Sequence, residues 1–316
     1  MEDHSHQPQS YSRRDATKLI AAAGVSAFLH SPIDGLAAPN NMLVRKIPST
    51  NEPLPVVGLG TWQTFDVSPS PAVRAPLKEV LKQFVEMGGK LIDSSPMYGE
   101  SEVVVGDLAA ELKVAKKLFM ATKVWTQGRQ EGISQMETSM REMRSNPLDL
   151  MQIHNLVDWQ THMATLREWK AAGRIRYIGI THYLVSAFDK LEKIMRSEPI
   201  DFVQLNYNIT TREAANRLLP LAQEKKIAVI VNRPFESGSL FSLVKDKPLP
   251  EWAREFDCAS WGQFFLKYIL GHPAITCVIP ATSKIKHLTD NMGAGYGQLP
   301  DAAARKRMEQ YIEKLT

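Results

Sequence analysis

Residues 118–154, LFMATKVWTQGRQEGISQMETSMREMRSNPLDLMQIH, hold one complete strand, helix and strand. The opening run Leu118-Phe119-Met120-Ala121-Thr122 is almost wholly apolar, as a strand buried on both faces requires. Helical spacing takes over at 132–145, and a second short run follows at 149–154. The same alternation extends in both directions from this stretch. Strand candidates lie at 56–61, 90–94, 118–124, 149–154, 175–181, 201–207, 227–233 and 274–280. Helix candidates at 71–87, 101–112, 132–145, 158–172, 186–195, 212–226 and 251–270 separate them. Such alternation predicts βαβ units and a parallel sheet. Eight units over about 260 residues fit a closed (β/α)8 TIM barrel, whose usual length is about 250 residues. The alternative is an open doubly wound sheet. It is weakened because Gly58-Leu59-Gly60-Thr61-Trp62 leads into a proline-rich stretch, not a glycine-rich turn opening a helix, and no G-x-G-x-x-G occurs. Residues 42–54 predict a β-hairpin ahead of the barrel, turning at Ser49-Thr50-Asn51-Glu52. No linker or repeat divides 39–316, so one domain is expected there.

Composition narrows the function. The 316 residues are 44% hydrophobic and 23% charged, ordinary for a globular chain. A formal net charge of +4, without a long basic run, disfavours nucleic acid as a partner. Cys258 and Cys277 form no C-x-x-C pair and share no metal-type spacing with histidine, so neither a disulfide framework nor a metal site is expected. At the N-terminus, Ser12-Arg13-Arg14-Asp15-Ala16-Thr17-Lys18 precedes an apolar run at 19–29 and then Ala37-Ala38. Residues 1–38 thus resemble a twin-arginine export signal. This implies the twin-arginine translocase as a partner and a periplasmic or exported location, or a cytoplasmic one if the signal is unused. The apolar run falls well short of the roughly 20 residues that span a bilayer, so no stable membrane span is expected.

In a parallel barrel, chemistry gathers at the C-terminal ends of the strands. Here those ends carry Asp93, followed closely by Tyr98, then Lys123 and His154. Each alone has an ordinary explanation, such as a helix cap, a solvated cation, packing, or a bond to a carbonyl. Together they describe a proton-delivery device. An ammonium beside a phenol favours the phenolate and lowers a pKa otherwise about 10, while a carboxylate holds the ammonium. A tyrosine tuned in this way donates a proton near neutral pH, and a histidine can orient the substrate oxygen.

These residues sit in segments that resemble the aldo-keto reductase superfamily over nearly all of the chain after residue 38. The segments are Gly58-Leu59-Gly60-Thr61-Trp62, Ile92-Asp93-Ser94-Ser95-Pro96-Met97-Tyr98-Gly99, Ala121-Thr122-Lys123, Asp149-Leu150-Met151-Gln152-Ile153-His154, Gly173-Arg174-Ile175-Arg176-Tyr177-Ile178-Gly179-Ile180, Gln204-Leu205-Asn206-Tyr207-Asn208 and Val278-Ile279-Pro280-Ala281-Thr282. The resemblance implies an NADP-dependent oxidoreductase that reduces an aldehyde or ketone, with Tyr98 as acid, Lys123 and Asp93 tuning it, and His154 holding the carbonyl. It implies that Thr181, His182 and Gln204 hold the nicotinamide carboxamide and that Phe235, Gly238 and Leu240 belong to the loop over the pyrophosphate. Thr282, Ser283, Lys284 and His287 match the adenosine-phosphate region, with Asp290 and Asn291 near the adenine.

Two positions depart from the pattern. Val231-Asn232-Arg233-Pro234 lacks the aromatic residue that many members stack on the nicotinamide, and Ala281 replaces a common cation. Preference for NADP over NAD then rests on Lys284, with Lys286 beside it. Trp62, Met97 and Trp125 are expected to line the substrate pocket, favouring a moderately hydrophobic small-molecule carbonyl. The alternatives are an NADP-binding regulatory module acting through a protein partner, and a non-redox barrel in which Lys123 forms a Schiff base.

Overall fold

The computed structural model describes residues 41–315, so the export-signal reading of 1–38 lies outside the described residues. Two antiparallel strands come first, β1 (Val44–Lys46) and β2 (Pro53–Pro55), with Val44 opposite Pro55. They form the expected hairpin. Eight parallel strands follow: β3 (Leu59–Gly60), β4 (Leu91–Asp93), β5 (Phe119–Val124), β6 (Leu148–His154), β7 (Ile175–His182), β8 (Phe202–Asn206), β9 (Ala228–Asn232) and β10 (Ile275–Val278). Their order in the sheet is their order in the chain. The sheet closes where Gly58 N donates to Val278 O at 2.8 Å and Val278 N donates to Val56 O at 2.9 Å, with a further bridge from Gly60 to Ala281. Closure needs glycine at the seam. A Cβ on Gly58 would lie 2.8 Å from the Leu91 carbonyl oxygen, and one on Gly60 would lie 2.9 Å from that of Ile279.

Helices α1 (Pro71–Glu86), α2 (Ser101–Glu111), α3 (Arg129–Glu142), α4 (Trp159–Ala171), α5 (Phe188–Ser197) and α6 (Leu218–Lys225) each link successive strands. A short α7 (Ser239–Leu243) and then α8 (Trp261–Leu270) lie between β9 and β10; α9 (Ile285–Gly293) and α10 (Ala302–Glu313) end the chain. Helix α1 shows why the outer layer forms: proline opens its first turn, and Leu77, Val80, Leu81 and Phe84 recur at helical spacing and are buried. The expected single helix over 251–270 is two pieces. Asp257 takes φ 53° and ends the first, and the Ser260 side chain accepts the Gln263 N–H to start α8. The helices after the eighth strand were not anticipated; α9 packs beside α1 and α8 and completes the ring. Among the described residues no helix is long and apolar enough to cross a membrane.

Period two along the strands divides the barrel interior into levels. Inward residues at the N-terminal side are apolar: Leu91, Phe119, Leu150, Tyr177, Phe202 and Ala228 are all buried, and Ile47 and Leu54 of the hairpin join them as a plug. The hairpin is pinned there by Tyr177, whose hydroxyl lies 2.8 Å from Thr50 Oγ1 and 2.6 Å from Glu52 Oε2. Further along the same inward faces, two residues on for Asp93, Gln152 and Gln204 and four for Lys123 and Thr181, come polar side chains. The opposite faces, including Met120, Met151, Ile178 and Val203, pack outward in a second apolar layer. The hairpin thus plugs one end of the barrel, and the other mouth carries the buried polar group of Asp93, Lys123, Gln152, Thr181 and Gln204.

Candidate active site

Asp93, Lys123 and His154 end three adjacent strands, and the pairing puts Lys123 beside Gln152 and His154 beside Thr181. Tyr98 follows β4 in a turn closed by its own N–H donating to Ser95 O at 2.9 Å. Lys123 is wholly buried. Its Nζ donates to Asp93 Oδ2 at 2.7 Å and to Ser94 O at 2.6 Å, and lies 4.8 Å from the centre of the Tyr98 ring. The other carboxylate oxygen, Asp93 Oδ1, accepts from both Gln152 Nε2 and Gln204 Nε2, each at 2.9 Å. Thr181 Oγ1 in turn donates to Gln204 Oε1 at 3.2 Å. Gln152 crosses the barrel because Gly179 leaves room: a Cβ on Gly179 would sit 2.8 Å from Gln152 Cγ.

The electrostatics correct one expectation. Burial pushes the Tyr98 phenol above its ordinary value; Lys123 lowers it, Asp93 raises it, and the net direction is up. Lys123 thus offsets part of a burial penalty and does not bring the phenol below its usual range. The phenol accordingly holds its proton at neutral pH. Burial also works against the Lys123 charge, but Asp93 and Tyr98 outweigh it and the ammonium is held above its ordinary value. His154 is driven down to about 2, chiefly by burial and then by Lys123 and His182, so its imidazole is neutral across the working range. Its Nδ1 lies 2.9 Å from Ser95 Oγ.

A cavity of about 1030 Å³ opens above this group, with Asp93, Tyr98 and His154 in its floor and Lys123 sealed behind. Of the expected substrate residues, Trp62 and Met97 line it; Trp125 does not, but stands at the rim with its ring 6.4 Å from that of His154. Of the expected cofactor residues, Thr181, Gln204, Phe235, Gly238, His287, Asp290 and Asn291 line the cavity. His182, Leu240, Thr282, Ser283 and Lys284 are not in its wall. Leu240 is buried in the apolar core, and Thr282 is buried with its Oγ1 accepting the Lys284 N–H at 3.1 Å. Lys284 is exposed at the N-terminal end of α9. Asp290 is engaged within the protein, accepting from Ser260 Oγ at 2.8 Å and Gln263 Nε2 at 3.0 Å.

Several wall residues were not anticipated, among them Asn155, Tyr183, Arg233, Trp261 and Gly262. Asn232, read only as a missing aromatic, also lines the wall. The loop after β9 runs through left-handed backbone at Arg233, Glu236, Ser237 and Gly238 and is tied down by Glu236. That carboxylate accepts from Asn208 Nδ2 at 2.7 Å, Thr211 Oγ1 at 3.1 Å and Arg233 Nη2 at 2.6 Å. Buried Asn155 Oδ1, Asn232 Oδ1 and Arg233 Nε, all on wall residues, make no hydrogen bond within the described protein. Buried polar atoms are nearly always satisfied, so these three stand out, although each is itself shielded from the cavity. A large cofactor with an amide and phosphates suits that wall in size and in chemistry.

The aldo/keto reductase family pattern matches residues 56–309. The chain is 27% identical over 246 residues to a methylglyoxal reductase, YeaE, of Escherichia coli, covering 75% of this chain and 84% of that one. It is 29% identical over 246 residues to the NADH-specific methylglyoxal reductase of the same organism, covering 67% and 73%. In fold it is similar to an aldo-keto reductase from Klebsiella pneumoniae solved in complex with NADPH, with a TM-score of 0.69 at 20% identity over 86% of this chain and 96% of that one. With the barrel closed and the ordered residues gathered at one mouth, the match across most of its length establishes that this chain belongs to the aldo/keto reductase family of oxidoreductases.

Proposed function

We propose that the protein reduces an aldehyde or ketone to an alcohol with NADPH, Tyr98 acting as general acid. The observation that carries this reading is the sealed Asp93–Lys123 pair behind a protonated Tyr98 in the cavity floor. Bound reduced nicotinamide supplies the hydride. Tyr98 gives its proton to the carbonyl oxygen as charge develops there, and the Lys123 ammonium stabilises the phenolate left behind. Neutral His154, beside Tyr98 with ring centres 5.8 Å apart, holds the same oxygen. Lys123 makes a poor Schiff-base nucleophile, because its ammonium is buried and paired with Asp93. Reduction of added carbonyls followed by NADPH absorbance tests the proposal; a folded enzyme inert toward a broad panel of aldehydes and ketones would sink it.

The rim supports a substrate class. Trp62, Met97, Trp125 and Tyr183 are between 38% and 48% exposed around the mouth, so an apolar or aromatic carbonyl recovers more buried area than methylglyoxal does. For the cofactor, the name of one relative specifies NADH and a structural neighbour was solved with NADPH. Our preference for NADPH rests on Lys284, whose exposed side chain at the start of α9 can meet a phosphate as a point charge. Lys284→Ala is expected to weaken NADPH binding by about 1.5–3 kcal/mol while leaving NADH nearly unchanged. Titration of both nucleotides decides it; equal loss for both removes Lys284 from the site.

Export is a further part of this proposal, resting on Ser12-Arg13-Arg14 and the apolar run after it. The twin-arginine route carries folded proteins, so the nucleotide can be acquired before crossing. Changing Arg13 and Arg14 together to Lys is expected to retain the protein in the cytoplasmic fraction, and unaltered fractionation ends the signal reading.

A further inference from the structure

His154 can hold a carbonyl oxygen only with a proton on the nitrogen facing the cavity. A neutral imidazole carries one proton, on either Nδ1 or Nε2, and the partner of one nitrogen decides the other. His154 Nδ1 is 2.9 Å from Ser95 Oγ, while Nε2 makes no hydrogen bond within the described residues, and the residue lines the cavity. Ser95 is fully buried in the turn after β4, so water does not reach its hydroxyl. The same Oγ receives a long N–H contact from Met97 at 3.4 Å, which uses it as an acceptor and leaves its proton to be placed. Among the described residues, His154 Nδ1 is the acceptor within reach. Were Nδ1 protonated, it would donate to Ser95, and the serine proton would be left buried without a partner, an arrangement that costs free energy.

We infer that Ser95 is a positioning residue of the reduction: its hydroxyl donates to His154 Nδ1, fixes the proton on Nε2, and so turns that nitrogen into the donor presented to the substrate oxygen. The inference rests on the proposed carbonyl reduction for its purpose, but not for its geometry. With the opposite tautomer, an imidazole lone pair would face the carbonyl oxygen and repel the charge that develops there. The sequence places the hydroxyl two residues after Asp93, so the turn that delivers Tyr98 also sets the histidine.

The test is nitrogen NMR of histidine-labelled protein, in which the His154 resonances are those lost in His154→Asn. In the wild type the expected result is a hydrogen-bearing Nε2 and a bare, hydrogen-bonded Nδ1. In Ser95→Ala the two tautomers should mix, and kcat should fall about three- to tenfold, the worth of one neutral hydrogen bond, with nucleotide affinity unchanged. Ser94→Ala is the packing control: its hydroxyl is equally buried but meets Thr61 and no histidine, so the His154 signature should stay as in the wild type. A proton on Nδ1 in the wild type, or an unaltered His154 signature in Ser95→Ala, overturns the inference. Because the signature is read without substrate, it stands or falls apart from the proposed activity; a correct signature in a protein that reduces no carbonyl would count against that activity alone.

Discussion

Tyr98→Phe is expected to fold and bind NADPH as the wild type does while losing carbonyl reduction, with kcat lower by about 10²- to 10⁴-fold. The substitution removes one hydroxyl and keeps the ring, which packs edge-on against His154 with an interplanar angle of 85°. The cavity floor therefore keeps its shape. Only the proton is missing. Since burial holds the phenol protonated at neutral pH, the loss should appear across the neutral range and should not be recovered by modest acidification. Single-turnover rates at saturating NADPH, beside nucleotide affinity, separate lost chemistry from a displaced cofactor. Near-normal turnover by the folded, saturated variant would refute Tyr98 as the acid.

Lys123→Met is expected to act on both stability and chemistry. The ammonium is fully buried and pairs with a carboxylate that is itself 2% exposed. Removing one member of such a pair strands the other, at a cost of about 3–5 kcal/mol. The two glutamine donors on Asp93 Oδ1 remain and favour the lower end of that range. Adding Asp93→Asn to Lys123→Met removes the stranded charge and should restore part of the loss, which thermal unfolding of the three variants will measure. On the chemical side, Lys123 lowers the phenol and nothing else near it does so comparably. Its loss raises Tyr98 further, so less phenolate is present at any pH below the new value. Alcohol oxidation, which needs the phenolate as base, should fall by about 10- to 10³-fold at neutral pH and recover as pH rises. Reduction needs the phenol, already present, and its neutral pH dependence should barely move. Its rate should still fall by a similar factor at a given pH, because Lys123 stabilises the phenolate that reduction leaves behind and the equilibrium constant ties the two directions; an oxidation profile that does not shift would count against a tuning role.

The eight strands were legible because each is buried on both faces and reads as a short apolar run beside a longer helical one. Three of the four candidate chemical residues, Asp93, Lys123 and His154, were legible for a related reason: each breaks an apolar run near its C-terminal end, and Tyr98 follows the first of them closely. What was hidden depends on distance across the barrel. Gln152 stands two residues before His154 on β6 and therefore shares its inward face, a signal available from period two alone. That it donates to Asp93, two strands away, follows from the register and from the space beside Gly179. Ser95 was quoted without a role because a hydroxyl one residue from another serine says nothing about which reaches a histidine. Of the expected cofactor residues around Thr282, burial keeps Thr282 out of the cavity wall, and Lys284 stands outside it at the start of α9, placements that order along the chain does not reveal. The division of 251–270 was missed because a left-handed aspartate interrupts an otherwise helical pattern.

The clamp on Asp93 also bears on the moment at which activity appears as the chain is made. The residues of the proton relay arrive early, on consecutive units ending at β6. Gln204, the second donor to Asp93 Oδ1, arrives only with β8, and the seam that joins β10 to the segment around Gly58 comes later still. A nascent barrel emerging from the ribosome thus carries its acid before it has the full scaffold that aligns it, and fully aligned chemistry waits for a nearly complete ring.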